Sequence, residues 1–161
     1  MSGSRNGRRS PLASASLSTK LYEWESEEDR QREDAVRPGP PYEIAAQKTA
    51  QLVGVELSES QLQTAGLAFH YGRRMSWGPV YLVLRRLTDL NPIPAGLLTG
   101  GAMSLIVDEG MTPALRLSAP NSAYPLATHL RGFVAHLAFG LGVAATAETL
   151  LWLGRHAGRR L

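Results

Sequence analysis

The sequence predicts an all-α protein: a helical membrane bundle of about three apolar helices with a polar helical N-terminal arm. Three observations lead there. The 161 residues show no strand-like alternation, no hairpin dipeptide and no internal repeat. Two stretches lack formal charge, residues 90–107 and Gly132 to Ala147. The charge is also unevenly divided. Residues 1–62 hold 8 basic and 10 acidic side chains, net −2, whereas residues 63–161 hold 9 and 4, net +5, and all nine of those cations are arginine. The mean hydropathy of −0.14 therefore averages two unlike parts. Three regions follow: a basic tail over 1–11, the polar arm over 12–62 and the apolar bundle over 63–161.

Each element has a local reason. The tail, MSGSRNGRRS, cannot bury apolar area and is expected to be disordered. The stretch after Arg8-Arg9 is too polar for the core of an export signal. One helix is expected over 12–34, with Leu17, Leu21 and Trp24 on a single face and the acids from Glu23 to Asp29 on a solvated one. Pro38, Pro40 and Pro41 break the chain. The next helix runs to about Val53, with Tyr42, Ala45, Ala46, Thr49, Leu52 and Val53 on one side and Gly54 as a left-handed cap. Ser58 and Gln61 form a capping box, and Leu57 with Leu62 a hydrophobic staple, at the start of the following helix. Pro79 should kink it. Asn91-Pro92 caps and opens an apolar helix, which Asp108-Glu109-Gly110 is expected to end. After Pro113, Pro120 and Pro125 the last helix occupies 125–154.

Span length and pattern favour lipid over water. Eighteen helical residues cover about 27 Å of a hydrocarbon core of about 30 Å. Pro94 to Val107 carries only Thr99 and Ser104 as polar side chains, and Phe133 to Ala147 only His136 and Thr146, so neither helix has a polar stripe. Gly96 and Gly100 form a GxxxG pattern, and Gly132 and Gly140 recur on the last helix; small residues let membrane helices approach closely. Arg85, Arg86, Arg155, Arg159 and Arg160 on the cytoplasmic side imply crossings over 92–108 and 129–153, joined by an outer loop with Asp108, Glu109 and Arg116.

Several fragments carry a family likeness: Pro41-Tyr-Glu-Ile-Ala-Ala46, His70-Tyr-Gly72 with Gly78-Pro-Val-Tyr81, Asp108-Glu-Gly110 with Pro113, Ser118-Ala-Pro120, and Thr128-His129 with His136 and Phe139-Gly140. Over residues 41–145 the chain resembles the YagU-like family of small bacterial inner-membrane proteins. The resemblance implies a helical, multi-pass protein of the bacterial cytoplasmic (inner) membrane, usually with four spans, and no assigned reaction. A first span would stand before Trp24. Pro11 to Leu21 is too short and too polar to supply it, so that span is expected to be lost or to lie upstream of the start used here.

The candidate functional polar residues are His70, Asp108, Glu109, His129 and His136. Ionisable groups among apolar helices are functional candidates, and histidine changes charge between about pH 5 and 8. His129 and His136 share a face with Gly132 and Gly140, but stand about 10.5 Å apart along the axis, too far to bind one metal together. Asp108 and Glu109, read as a helix end, need a cation such as Arg116 or Arg131. The sequence holds no cysteine and no hydrolase, P-loop, zincin or dinucleotide motif, so no catalytic residue, metal or cofactor is assigned and the protein is read as a non-enzyme. The arginines are not interleaved with aromatics, which speaks against nucleic acid. The partners expected are the lipid bilayer and a second copy or another membrane protein. The leading reading is an accessory or structural membrane component. Its rivals are a transporter-like or proton-linked protein using His136, His129, Asp108 and Glu109, and a soluble helical bundle with a ligand pocket.

Overall fold

A computed structural model describes residues 17–157. The expected disordered tail, the first residues of the arm and Arg159 and Arg160 lie outside the described residues. Within them the secondary structure is helical and contains no strand.

The expected single helix over 12–34 is two helices, α1 (Leu17–Glu23) and α2 (Glu27–Val36). The break falls where Ser26 adopts an extended backbone and its hydroxyl accepts the Asp29 N–H, a cap that outcompetes continued helix. It also undoes the proposed apolar face, because Trp24 lies in the break and is 81 % exposed. Helix α3 (Pro41–Leu52) ends as expected before Gly54, whose φ of 71° is left-handed. Its buried residue is Ala46, while Leu52 and Val53 are exposed, so the expected apolar face is only partly used. Glu43 packs on Gly66 of the next helix, at 2.8 Å from where a Cβ would stand.

Helix α4 (Glu59–Leu87) begins with the complete capping box: Gln61 N–H donates to the Ser58 hydroxyl, and Ser58 N–H to the Gln61 side chain. It continues through Pro79. At about 1.5 Å per residue it is some 43 Å long, and the change of composition near residue 62 falls in its first turn.

Helix α5 (Pro92–Met103) starts with Asn91 at the N-cap and Pro92 in the first turn, although the Asn91 side chain makes no capping bond. It does not end at Asp108. The backbone widens into a π-helix over Ser104–Met111 and then returns to α-helix as α6 (Thr112–Ala114). Thr112 Oγ1 donates to the Val107 carbonyl within this wider register. The expected outer loop thus begins only after Ala114, with Arg116 at φ 55°, and the two acids lie inside the helical run. A short 3₁₀ turn (Asn121–Ala123) leads to α7 (Leu126–Ala157).

The closest packing is α5 on α7. A Cβ on Gly96 would stand 2.9 Å from the Gly140 carbonyl and 3.0 Å from Ala144, and Cβ atoms on Gly100 and Gly140 would clash with the backbone of the facing helix. Three of the four predicted packing glycines therefore meet in one crossing. Gly132 does not: nothing stands within 4 Å of its would-be Cβ, and it borders a cavity. The small core beside the crossing is Tyr81, Ala95 and Ala144. Helix α4 is tied to α7 by the Tyr81 hydroxyl and Arg85 Nε, which donate to Glu148 Oε1 at 2.9 and 3.0 Å.

The 32-residue α7 is long and apolar enough to cross a membrane, the one helix among the described residues that is. Only 11 % of its most apolar stretch is buried, and α4 and α5 also expose Leu67, Phe69, Val80, Leu82, Val83, Leu97 and Leu98.

Candidate functional site

Four of the five candidate polar residues meet on one wall of a cavity of about 1180 Å³, between the polar arm, α4, the π-helix and α7. The π-helix brings this about by keeping Asp108 and Glu109 on the inner side of a continuing helix. Such segments recur at functional positions in proteins.

Each acid meets a histidine of α7. Glu109 Oε1 lies 2.8 Å from His129 Nδ1, and the other ring nitrogen of His129 is 3.1 Å from the Asn121 carbonyl. Asn121 in turn donates to the Glu109 carbonyl at 2.8 Å. Asp108 Oδ2 lies 3.3 Å from His136 Nδ1, which is also 2.8 Å from the Gly132 carbonyl. The seven-residue spacing of the histidines matches consecutive acids on the π-helix, so the same-face reading holds. The expected acid partners do not. Arg116 is in the loop, and Arg131 is engaged elsewhere.

The cation that meets Asp108 is Arg73, from the middle of α4, with Nη1 at 3.0 Å from Oδ1. Its other terminal nitrogen donates to the Tyr42 hydroxyl, and its guanidinium lies 5.0 Å from the Tyr42 ring centre. Burial pushes the Tyr42 phenol above its ordinary pKa of 10.0, with the Arg73 charge opposing. Arg73 Nε is buried without a partner. The next residue, Arg74, lies over the Phe139 ring at 5.5 Å. His70, the fifth candidate, does not line the cavity; it meets Tyr42 edge-on at 4.5 Å from behind. The Arg73-Arg74 pair, which interrupts the apolar residues of 63–84 near their middle, is the sequence signal for Arg73. Nothing local marked Tyr42.

The polar arm closes one side. Of the acids expected on a solvated face, Glu25 is instead turned inward, and Glu33 further along α2 joins it. Arg131 of α7 donates to Glu25 at 2.6 Å and to both oxygens of Glu33 at 2.8 Å. Glu33, fully buried, also accepts from Thr128 at 2.7 Å and from Arg37. The Tyr22 ring covers the Arg131 guanidinium at 4.9 Å. Burial and the neighbouring Asp34, whose carboxylate accepts from its hydroxyl, push the Tyr22 phenol up.

Among the described residues no three His, Asp or Glu side chains are grouped to hold a metal. What the site offers is two histidine–carboxylate pairs capable of passing or storing protons, and guanidinium groups capable of binding an anion. No known protein family, curated protein or solved structure matched the chain.

Proposed function

We propose that the chain is a multi-pass helical protein of a bacterial cytoplasmic membrane, and that its polar cavity serves a transporter-like, proton-linked role. The observation that carries the role is the convergence of Asp108–His136, Glu109–His129 and Arg73 on one cavity wall. Ionisable groups kept among apolar helices mark solute and proton pathways in membranes. The membrane setting is supported by the exposure of α7. A soluble core helix of such composition would be buried, and this one is not. The apolar surface extends over α4 and α5, well beyond the patches usual for a soluble monomer. In this reading α7 crosses the bilayer, the run from α5 through the π-helix enters beside it, and Arg73 within α4 is tolerated because it pairs with Asp108 on the cavity wall. The resemblance of residues 41–145 to small inner-membrane proteins agrees with this location.

Two measurements test the proposal. The full chain should remain in the membrane pellet after alkaline carbonate extraction. Reconstituted in vesicles with an internal pH dye, it should carry a proton flux that His136→Leu and Asp108→Asn abolish while helicity is retained. Release into the supernatant would refute the membrane setting. Flux that survives both substitutions would refute the role given to the cavity. A second reading, an accessory or structural component, is favoured by the close α5–α7 crossing and is the outcome if the parent carries no flux.

A further inference from the structure

Building on the cavity as a solute site, we propose that its ligand is a small monocarboxylate with a short apolar body. The lining charges do not balance. Arg37, Lys48, Arg73, Arg74 and Arg131 stand against Glu33, Asp108 and Glu109, a sum of +2 with the histidines neutral; Glu25, just behind Arg131, reduces it to +1.

The excess rests on two of the lining cations. Arg131 and Arg37 are matched by Glu25 and Glu33, and Arg73 by Asp108. Lys48 and Arg74 have no acid partner among the described residues, and on the acid side Glu109 meets only the His129 ring, which leaves the net +1. Lys48 Nζ donates to the Leu115 and Arg116 carbonyls at 2.8 and 3.1 Å, which fix it without neutralising it. Arg74 is held by the face of Phe139. An anion in the cavity would face the Arg74 charge, and a planar carboxylate suits guanidinium donors. The remaining wall includes Leu52, Phe69, Val107, Met111 and Leu117, which suits an alkyl body and not a second charged group.

The test uses the full chain in nanodiscs of zwitterionic phosphatidylcholine, with calorimetric titration of hexanoate, hexylammonium and hexanol. Hexanoate should bind and hexylammonium should not, with hexanol at least tenfold weaker than hexanoate. Arg74→Gln, which removes only a cation–π contact from the fold, should weaken hexanoate tenfold or more, and Lys48→Met should weaken it in the same direction. Arg86→Gln, outside the cavity, should leave it unchanged. If Arg74→Gln fails to fold by circular dichroism, Lys48→Met carries the test. Equal binding of hexylammonium, no hexanoate binding by the parent, or full binding by the cavity variants would overturn the inference. The two proposals fail separately: hexanoate binding without proton flux refutes the proton-linked role alone, and flux without hexanoate binding refutes the ligand class alone.

Discussion

Replacing Glu33 by alanine should release the polar arm from α7 without unfolding the rest. Glu33 is fully buried and accepts from both Arg131 and Thr128 of α7, as well as from Arg37. In Glu33→Ala, Arg131 keeps only Glu25, at a position where its side chain is 9 % exposed, and the Thr128 hydroxyl loses its acceptor. Breaking one side of a buried ion pair costs about 3–5 kcal/mol. Arg37, half exposed, adds little to that. The remaining Glu25 contact argues for the lower end, about 3 kcal/mol, which at 1.4 kcal/mol per decade raises the open population on the order of 100-fold. Trypsin reads this directly, because α2 carries Arg30 and Arg32. When opening and reclosing outpace cleavage, the cleavage rate follows the open population. Digestion of the detergent-solubilised chain, followed by mass spectrometry, should show α2 cut on the order of 100-fold faster in Glu33→Ala while α5 and α7 remain intact. Glu28→Ala, an exposed acid on the same helix, should change the rate by no more than about twofold. Equal rates for Glu33→Ala and the parent would refute the claim that this cluster holds the arm.

Two further outcomes follow from the crossing and from Tyr42. Gly100→Ala should destabilise by about 1–3 kcal/mol or more, since its Cβ meets the His136 backbone, whereas Gly132→Ala, with open space around it, should stabilise by about 0.5–1 kcal/mol; thermal melts by circular dichroism giving the reverse order would contradict the packing described. Burial raises the folded-state pKa of the Tyr42 phenol above 10.0, so its contribution to stability is fully present below pH 10.0 and is lost as the pH rises through the raised value. In alkaline titration followed by tyrosinate absorbance, Tyr42→Phe should remove a late-titrating phenol, and loss of an early one would refute the assigned burial.

Features set by neighbours in sequence were readable. The Ser58–Gln61 box, the left-handed Gly54 and the alternating small residues at Gly96, Gly100 and Gly140 each depend on a short window of the chain, and each appears where local rules put it. What escaped was set by distant partners. Asp108-Glu109-Gly110 looked like a helix end because its charges and glycine close the uncharged run, although two acids there oppose the macrodipole and so call for a cation. In the fold Arg73 of α4 pairs with Asp108, the rings of His136 and His129 of α7 lie against the two acids, and the backbone stays helical by widening its register. The acidic run of the arm looked solvated because its neutralising Arg131 lies 106 positions from Glu25. Gly132 shows the opposite error, a residue with the right spacing that faces the cavity and not a neighbouring helix.

The same long-range pairs explain why the charge asymmetry of the sequence is not a division of the structure. Residues 1–62, at net −2, and the apolar half, at net +5, would as separate bodies each leave charge unpaired. Instead Arg131 of α7 inserts between Glu25 and Glu33 of the arm, and Tyr42 of α3 meets Arg73 of α4. Those contacts lie around the cavity, so the acids of the arm neutralise arginines that would otherwise be costly beside apolar helices. Neutralisation stops short at Arg74 and Lys48. Of the cations lining the cavity, these two are held by groups without charge, an aromatic face and two carbonyls. A folded chain could quench them with one more acid on the arm. Leaving them fixed and unquenched keeps positive charge on the cavity wall, which is the arrangement the proposed anion site requires.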